Sequence, residues 1–156
     1  METIRRTATH SRSKLIALWV CGALCAACAV ALISAYDEPT ERAVTGLQVS
    51  VDSFLINLAH DPQAPGCTYE KHKAFYTRTL TSVSGLEVRN RARPLNEQTA
   101  DQIELLDSSL VLLERLHKVK GDAACMSAAE IEPLRRNFNS SFTAILTLEL
   151  AKKRGT

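Results

Sequence analysis

Aromatic residues are scarce in this chain of 156 residues and make up only 5% of it. The single tryptophan, Trp19, falls inside a long apolar run, so few side chains could stack against a sugar or an aromatic ligand. The formal net charge is only +2, and no basic stripe with interleaved aromatic residues is present. The composition therefore argues against a nucleic-acid partner.

Recognisable catalytic motifs are also missing from the sequence. It contains no GxSxG motif, no glycine-rich phosphate loop and no paired acidic motif. Its aspartate and glutamate residues fall on the polar faces of the expected helices, where a solvated charge is the usual state. We therefore expect a protein that is not an enzyme and that needs no cofactor.

The most prominent feature present is an apolar run from Leu15 to Ala35 that contains no charged residue. A helix needs about 20 apolar residues to span the hydrocarbon core of a bilayer, and this run is just long enough. Residues 1–14 carry several basic side chains and are expected to remain cytoplasmic, so the chain after Tyr36 is expected to be exported. The run thus predicts that the rest of the protein lies outside the cytoplasm.

Two interpretations of this run remain open. As a retained anchor, residues 15–35 would hold the protein in the inner (cytoplasmic) membrane as a single-pass helix, with the C-terminal domain outside. As a signal peptide, the run would be cleaved near a small-residue site such as Ala29-Val30-Ala31, which would leave a periplasmic or secreted protein. Its length favours the anchor, because the apolar core of a signal peptide usually has about 7–15 residues.

Residues 37–154 are predicted to form one domain of four helices. In the first helix the apolar residues recur every three or four positions, at Val44, Leu47, Val51, Phe54 and Leu58. Later segments repeat this spacing, and none shows the alternation that is typical of a strand. Short connections favour antiparallel neighbours. We therefore predict an all-α protein in which the N-terminal apolar (signal-anchor) helix is followed by an antiparallel up-and-down four-helix bundle.

For the third and fourth helices, the sequence predicts individual core and capping residues. In the third helix Ile103, Leu106, Leu110, Leu113 and His117 follow the core spacing. Three further leucines are expected to widen that core stripe: Leu105, Leu112 and Leu116. The fourth helix is expected to begin at a capping box, Ser127-Ala128-Ala129-Glu130, and to kink or restart at Pro133.

An up-and-down bundle would bring two cysteines and three histidines to its membrane-distal end. Cys67 closes the first connection and Cys125 lies in the third, so in an oxidising compartment we predict a disulfide between them. His60, His72 and His117 would lie at the same end, where they could bind copper, zinc or nickel. The alternative is that these histidines are ordinary residues of helix ends, since their spacing matches no strong metal motif.

The other end of the bundle would collect basic side chains close to the membrane. These residues are Arg89, Arg91, Arg93, Lys152, Lys153 and Arg154. Attraction to anionic lipid head groups is one interpretation, and ordinary charge at helix ends is the other.

The sequence as a whole indicates a non-enzymatic, membrane-associated or exported helical module. We expect it to act through protein–protein interaction, with another extracytoplasmic or membrane protein as partner and a homodimer as a further possibility. The alternative function is a periplasmic metal-binding or stress-sensing protein that uses the His/Cys cluster.

Overall fold

The computed structural model describes residues 33–120 and 124–155, and these residues form four α-helices without any strand. The helices are α1 (Glu38–His60), α2 (Tyr69–Arg91), α3 (Glu97–Lys120) and α4 (Ala128–Gly155). The prediction of an all-α bundle domain is confirmed for this part of the chain. Residues 1–14 and nearly all of the predicted span 15–35 lie outside the described residues. Among the helices that are described, none is long and apolar enough to cross a membrane.

Local sequence signals explain where α1 and α4 begin. Asp37 precedes α1, and its carboxylate accepts a hydrogen bond from the backbone N–H of Thr40, while Pro39 lies in the first turn. Before α4, the N–H and hydroxyl of Ser127 both donate to Glu130, as the predicted capping box requires. The starts of α1 and α4 therefore follow from residues that are neighbours in sequence.

Of the two possibilities predicted for Pro133, a kink or a restart, the restart is wrong, because α4 runs as one helix through this residue. A proline in a helix lacks the N–H that would donate to the carbonyl four residues earlier, here that of Ala129. Ala129 is exposed, so water can bond to its carbonyl in place of the missing donor.

Each helix packs against two others and runs antiparallel to both. α1 and α3 each contact α2 and α4. Cys67, before α2, meets Cys125, before α4, at one end of the bundle. At the other end Asp37, before α1, meets Arg89 in the last turn of α2. The helices thus alternate in direction, in the order in which they occur along the chain.

The core consists of the apolar side chains that follow the three–four spacing. It includes Val44, Val51, Leu55, Tyr76, Val83, Ile103, Leu106, Leu110, Leu113, Phe138, Phe142 and Ile145. The expectation that Leu105, Leu112 and Leu116 widen this stripe is wrong, since all three are exposed. At about 100° per residue, they lie on a face of α3 about 130° away from the centre of its core face.

Candidate functional site

A disulfide joins two connections at one end of the bundle, which we call the Cys67 end. Cys67 pairs with Cys125, and their Cα atoms are 5.5 Å apart, a spacing that suits a disulfide. Cys67 is buried and Cys125 is partly buried. The structure therefore supports the predicted pairing, which joins the α1–α2 connection to the segment before α4.

His117 is fully buried next to this disulfide and is held by two hydrogen bonds. Its Nε2 atom lies 2.7 Å from the carbonyl oxygen of Cys67, and its Nδ1 atom lies 2.8 Å from the hydroxyl of Tyr76. Because a carbonyl oxygen can only accept, these partners assign the proton to Nε2 and leave Nδ1 as the acceptor. Burial lowers the pKa of His117, so the folded protein holds the ring neutral.

The other two histidines do not complete a metal site with His117. The ring of His72 lies 6.0 Å from that of His117, and its Nε2 atom donates to the carbonyl of Gly66. His60 is exposed, and its Nδ1 atom bonds to the carbonyl of Ile56 in its own helix. His117 has no free lone pair while it accepts from Tyr76. Within residues 33–120 and 124–155, no group of three or more His, Cys, Asp or Glu side chains could hold a metal ion.

We predict that His117 makes the stability of the bundle depend on pH. Its folded pKa is below the ordinary value of 6.5, so the unfolded chain binds the proton more readily. Stability should therefore be complete above about pH 6.5 and should decline as the pH falls below it. Thermal unfolding of the full chain between pH 7.5 and pH 5 would measure this decline.

The variant His117→Phe should remove this part of the pH dependence. At pH 7.5 it should also cost about 2 kcal/mol, because the buried hydroxyl of Tyr76 and the carbonyl of Cys67 lose a partner. His60→Gln is the matched control and should keep the normal profile, since His60 is exposed. An unchanged profile in His117→Phe would contradict the assignment.

The opposite end of the bundle, which we call the Asp37 end, is organised around a buried carboxylate. Arg89 binds Asp37 in a bidentate manner, with both N–O distances at 2.7 Å, and Arg93 adds a third contact at 2.8 Å. The Arg89 guanidinium holds the pKa of Asp37 well below its usual range. One carboxylate therefore joins the start of α1 to the end of α2.

A second buried ion pair at this end lies between Glu149 and Lys152 of α4. The Lys152 ammonium contacts the Glu149 carboxylate at 2.5 Å and the hydroxyl of Thr99 at 2.7 Å, and it also donates to Asn96. Glu149 is fully buried, and it also accepts from Thr99 and from the backbone N–H of Asp37. Both charges are thus taken out of water and depend on each other.

The segment before α1 is tied to the turn between α2 and α3. The backbone N–H of Ser34 donates to the carbonyl of Leu95 at 2.8 Å, and its hydroxyl donates to Asn96. Leu95 has φ = 59°, which is unfavourable for a residue with a side chain and is maintained by its neighbours. Asn96, at the start of α3, thus directs its side chain into tertiary contacts with Asn90 and Lys152.

The six basic residues predicted at this end lie in or next to the last turns of α2 and α4, but most of their charge is already paired. Arg89 and Arg93 bind Asp37, and Lys152 is buried against Glu149. The remaining pairs are exposed: Arg91 contacts Glu87, Asp101 and Glu104, and Lys153 contacts Glu41 and the ring of Tyr36. Arg154 lies in the last turn of α4. The acidic partners reduce the positive field that would attract lipid head groups.

No role was predicted for Glu149 or Asp37, although the sequence contains a signal for each of them. Glu149 and Lys152 continue the three–four spacing of Phe138, Phe142 and Ile145, so both fall on the core face of α4. Asp37 stands directly before a helix with proline near its start, which is the usual place for an N-cap. Charged residues at core positions could therefore have indicated the buried ion pair.

An exposed apolar face remains on α3, and we call it the α3 stripe. It consists of Leu105 (58% exposed), Leu112 (51%), Leu116 (41%) and Val119 (79%). Their spacings of seven, four and three residues place them within about 60° of one another around the helix axis. α3 is thus apolar on two faces, and only one of them is covered by the other helices of the bundle.

The surface also has an open groove of about 380 Å³ between α1 and α2. Small residues form much of its lining, including Ala43, Gly46, Ser50 and Ser82, and Arg78 is the titratable side chain among them. One arginine among small side chains does not provide the paired acid and base that catalysis usually requires. The lining of the groove therefore shows no acid–base pair.

Comparison with known proteins gives no family for this chain. No protein-family model matches it, and neither a curated protein nor a solved structure is significantly similar to it.

Proposed function

We propose that this protein is a non-enzymatic, exported helical module that acts by binding a helix of another protein chain through the α3 stripe. The observation that carries this proposal is the exposure of four large apolar side chains along one face of α3. A row of exposed large apolar side chains along one face of a helix is typical of an interaction site. Helices commonly recognise each other through apolar residues at these spacings.

The proposed location is outside the cytoplasm, on either a retained anchor or a released domain. The Cys67–Cys125 disulfide supports this location, because such bonds persist mainly in oxidising compartments. The apolar run 15–35 supports it as the export signal. If the anchor is retained, the proposal includes contact between the Asp37 end and anionic lipid. Most of the basic side chains at this end nevertheless have acidic partners.

A metal-binding or stress-sensing function is the alternative, and the described geometry gives it little support. The ring nitrogens of His117 are both engaged, and each of the other two histidines bonds to a backbone carbonyl. We therefore propose the interaction function in preference to the metal-binding one.

Photocrosslinking in native membranes tests the proposed function. A photoreactive amino acid at position 112 should give a covalent adduct with a protein, because Leu112 lies at the centre of the stripe. The matched control is position 49, since Val49 is equally exposed but lies on α1 (56% exposed). The adduct at position 112 should disappear when Leu116 is also changed to glutamate. Equal labelling at positions 112 and 49 would overturn the proposal.

A further inference from the structure

We infer that the chain that binds the α3 stripe is a second copy of this protein, with the two α3 helices antiparallel. This inference rests on the proposed function and names its partner. α3 is complementary to an antiparallel copy of itself in the placement of its exposed apolar residues and in the distribution of its charges.

Two members of the α3 stripe, Leu105 and Val119, lie seven residues on either side of Leu112. If a two-fold axis passes between the Leu112 side chains of two copies, Leu105 of one copy faces Val119 of the other. Leu116 then faces Ser108, whose exposed small side chain leaves room for the leucine. A two-fold interface requires such matching, because the same surface is used by both partners.

The charges of α3 are divided between its two halves. Residues 97–107 contain four acidic side chains and no basic one: Glu97, Asp101, Glu104 and Asp107. Residues 108–120 contain three basic side chains, Arg115, Lys118 and Lys120, and only one acidic side chain, Glu114. An antiparallel pair places the acidic half of each helix opposite the basic half of its partner. A parallel pair would place like charges side by side, which is unfavourable.

Existing ion pairs on α3 do not remove this complementarity. Glu104 and Asp101 contact Arg91, Lys118 contacts Glu114 and Lys120 contacts Glu130. Of the side chains in these pairs, Glu114 is the least exposed, at 18%. Exposed pairs contribute about 0–1 kcal/mol and rearrange readily when a partner approaches. The apolar stripe between the charges would provide most of the affinity, and the charges would select the direction.

The antiparallel arrangement of the two α3 helices restricts how the two copies can be placed relative to a membrane. The Ile33 residues of the two copies lie at opposite ends of the paired helices. Two copies held upright side by side in one bilayer would instead present their α3 helices in parallel. The inferred dimer therefore suits copies that are free to turn relative to each other.

The mass of the full chain in detergent, measured by sedimentation equilibrium, tests for the dimer. The wild-type protein should have the mass of two chains of 17.1 kDa. Leu112→Glu should weaken association by about 100-fold or more, since it removes two apolar contacts and places two like charges at the axis. Val49→Glu adds the same charge to α1 and should leave the dimer intact. Far-UV circular dichroism would show that both variants remain helical.

Photocrosslinking from position 105 of the purified full chain tests the direction of the pair. Cleavage after glutamate separates residues 105–114 from residues 115–130. An antiparallel pair should link these two peptides between copies, whereas a parallel pair would link two copies of the peptide 105–114. A parallel link, a monomeric wild-type chain or a Leu112→Glu variant that remains dimeric would each overturn the inference.

These outcomes separate the inference from the proposed function. Suppose that the purified chain is monomeric but position 112 forms an adduct with a different protein in native membranes. The inference that the partner is a second copy is then wrong, and the proposed function stands. If position 112 labels no protein above the control, both are wrong.

Discussion

Replacing Lys152 by methionine is expected to lower the free energy of unfolding by about 3–5 kcal/mol. The reason is that Glu149 is fully buried and would lose the ammonium group that neutralises its charge. Among the described residues, Thr99 and the backbone N–H of Asp37 would remain as its hydrogen-bond partners. Urea denaturation of the full chain, followed by circular dichroism, would measure the loss.

The double variant Glu149→Leu, Lys152→Met should be less destabilised than Lys152→Met alone. Replacing both members of a buried pair by apolar residues removes the unpaired charge as well as the attraction, and is often close to neutral. The matched control is the exposed pair Glu132–Arg136 on the same helix, where Arg136→Met should cost less than about 0.5 kcal/mol. Additive losses at Glu149 and Lys152 would contradict their coupling.

Replacing Cys67 by alanine is expected to lower the free energy of unfolding by about 4 kcal/mol on the chain-entropy account. The disulfide joins residues 58 positions apart, and a loop of this length restricts the unfolded chain considerably. Since small domains are stable by only about 5–15 kcal/mol, the variant should melt well below the wild-type protein. Differential scanning calorimetry would measure the shift.

Three comparisons distinguish the loss of the disulfide from the loss of a buried side chain. Cys125→Ala should cost nearly as much as Cys67→Ala, and the double variant should cost little more than either. A reducing agent should destabilise the wild-type protein and leave the Cys67→Ala variant unaffected. If the two single variants have independent, additive effects, the thiols are not joined in the folded protein.

The segments at the two ends of the bundle are held together by different kinds of interaction. A covalent bond connects the α1–α2 connection to the segment before α4 at the Cys67 end. At the Asp37 end, buried ion pairs and hydrogen bonds connect the segment before α1 to α2, α3 and α4. These contacts join helices of the bundle at both of its ends.

The sequence by itself determined the helices and most of the core. Val44, Val51, Ile103 and Leu110 follow a three–four spacing, and periodicity of this kind requires one buried face per helix. The capping box at Ser127 marked the start of α4, because capping depends on residues that are neighbours in sequence. The pairing of Cys67 with Cys125 followed from the expected order of the helices.

Only the tertiary structure decided which apolar and charged residues are covered. Leu105 and Leu106 are adjacent in sequence and similar in character, yet one is exposed and the other is buried. Which of the two residues is covered depends on where α2 and α4 pack against α3. The spacing of residues within α3 does not specify this, because α3 is apolar on two faces. Glu149 and Lys152 are likewise buried because Asn96 and Thr99 of α3 meet them across the bundle. Such partners are about 50 residues away in sequence, so their contacts arise only when the helices pack.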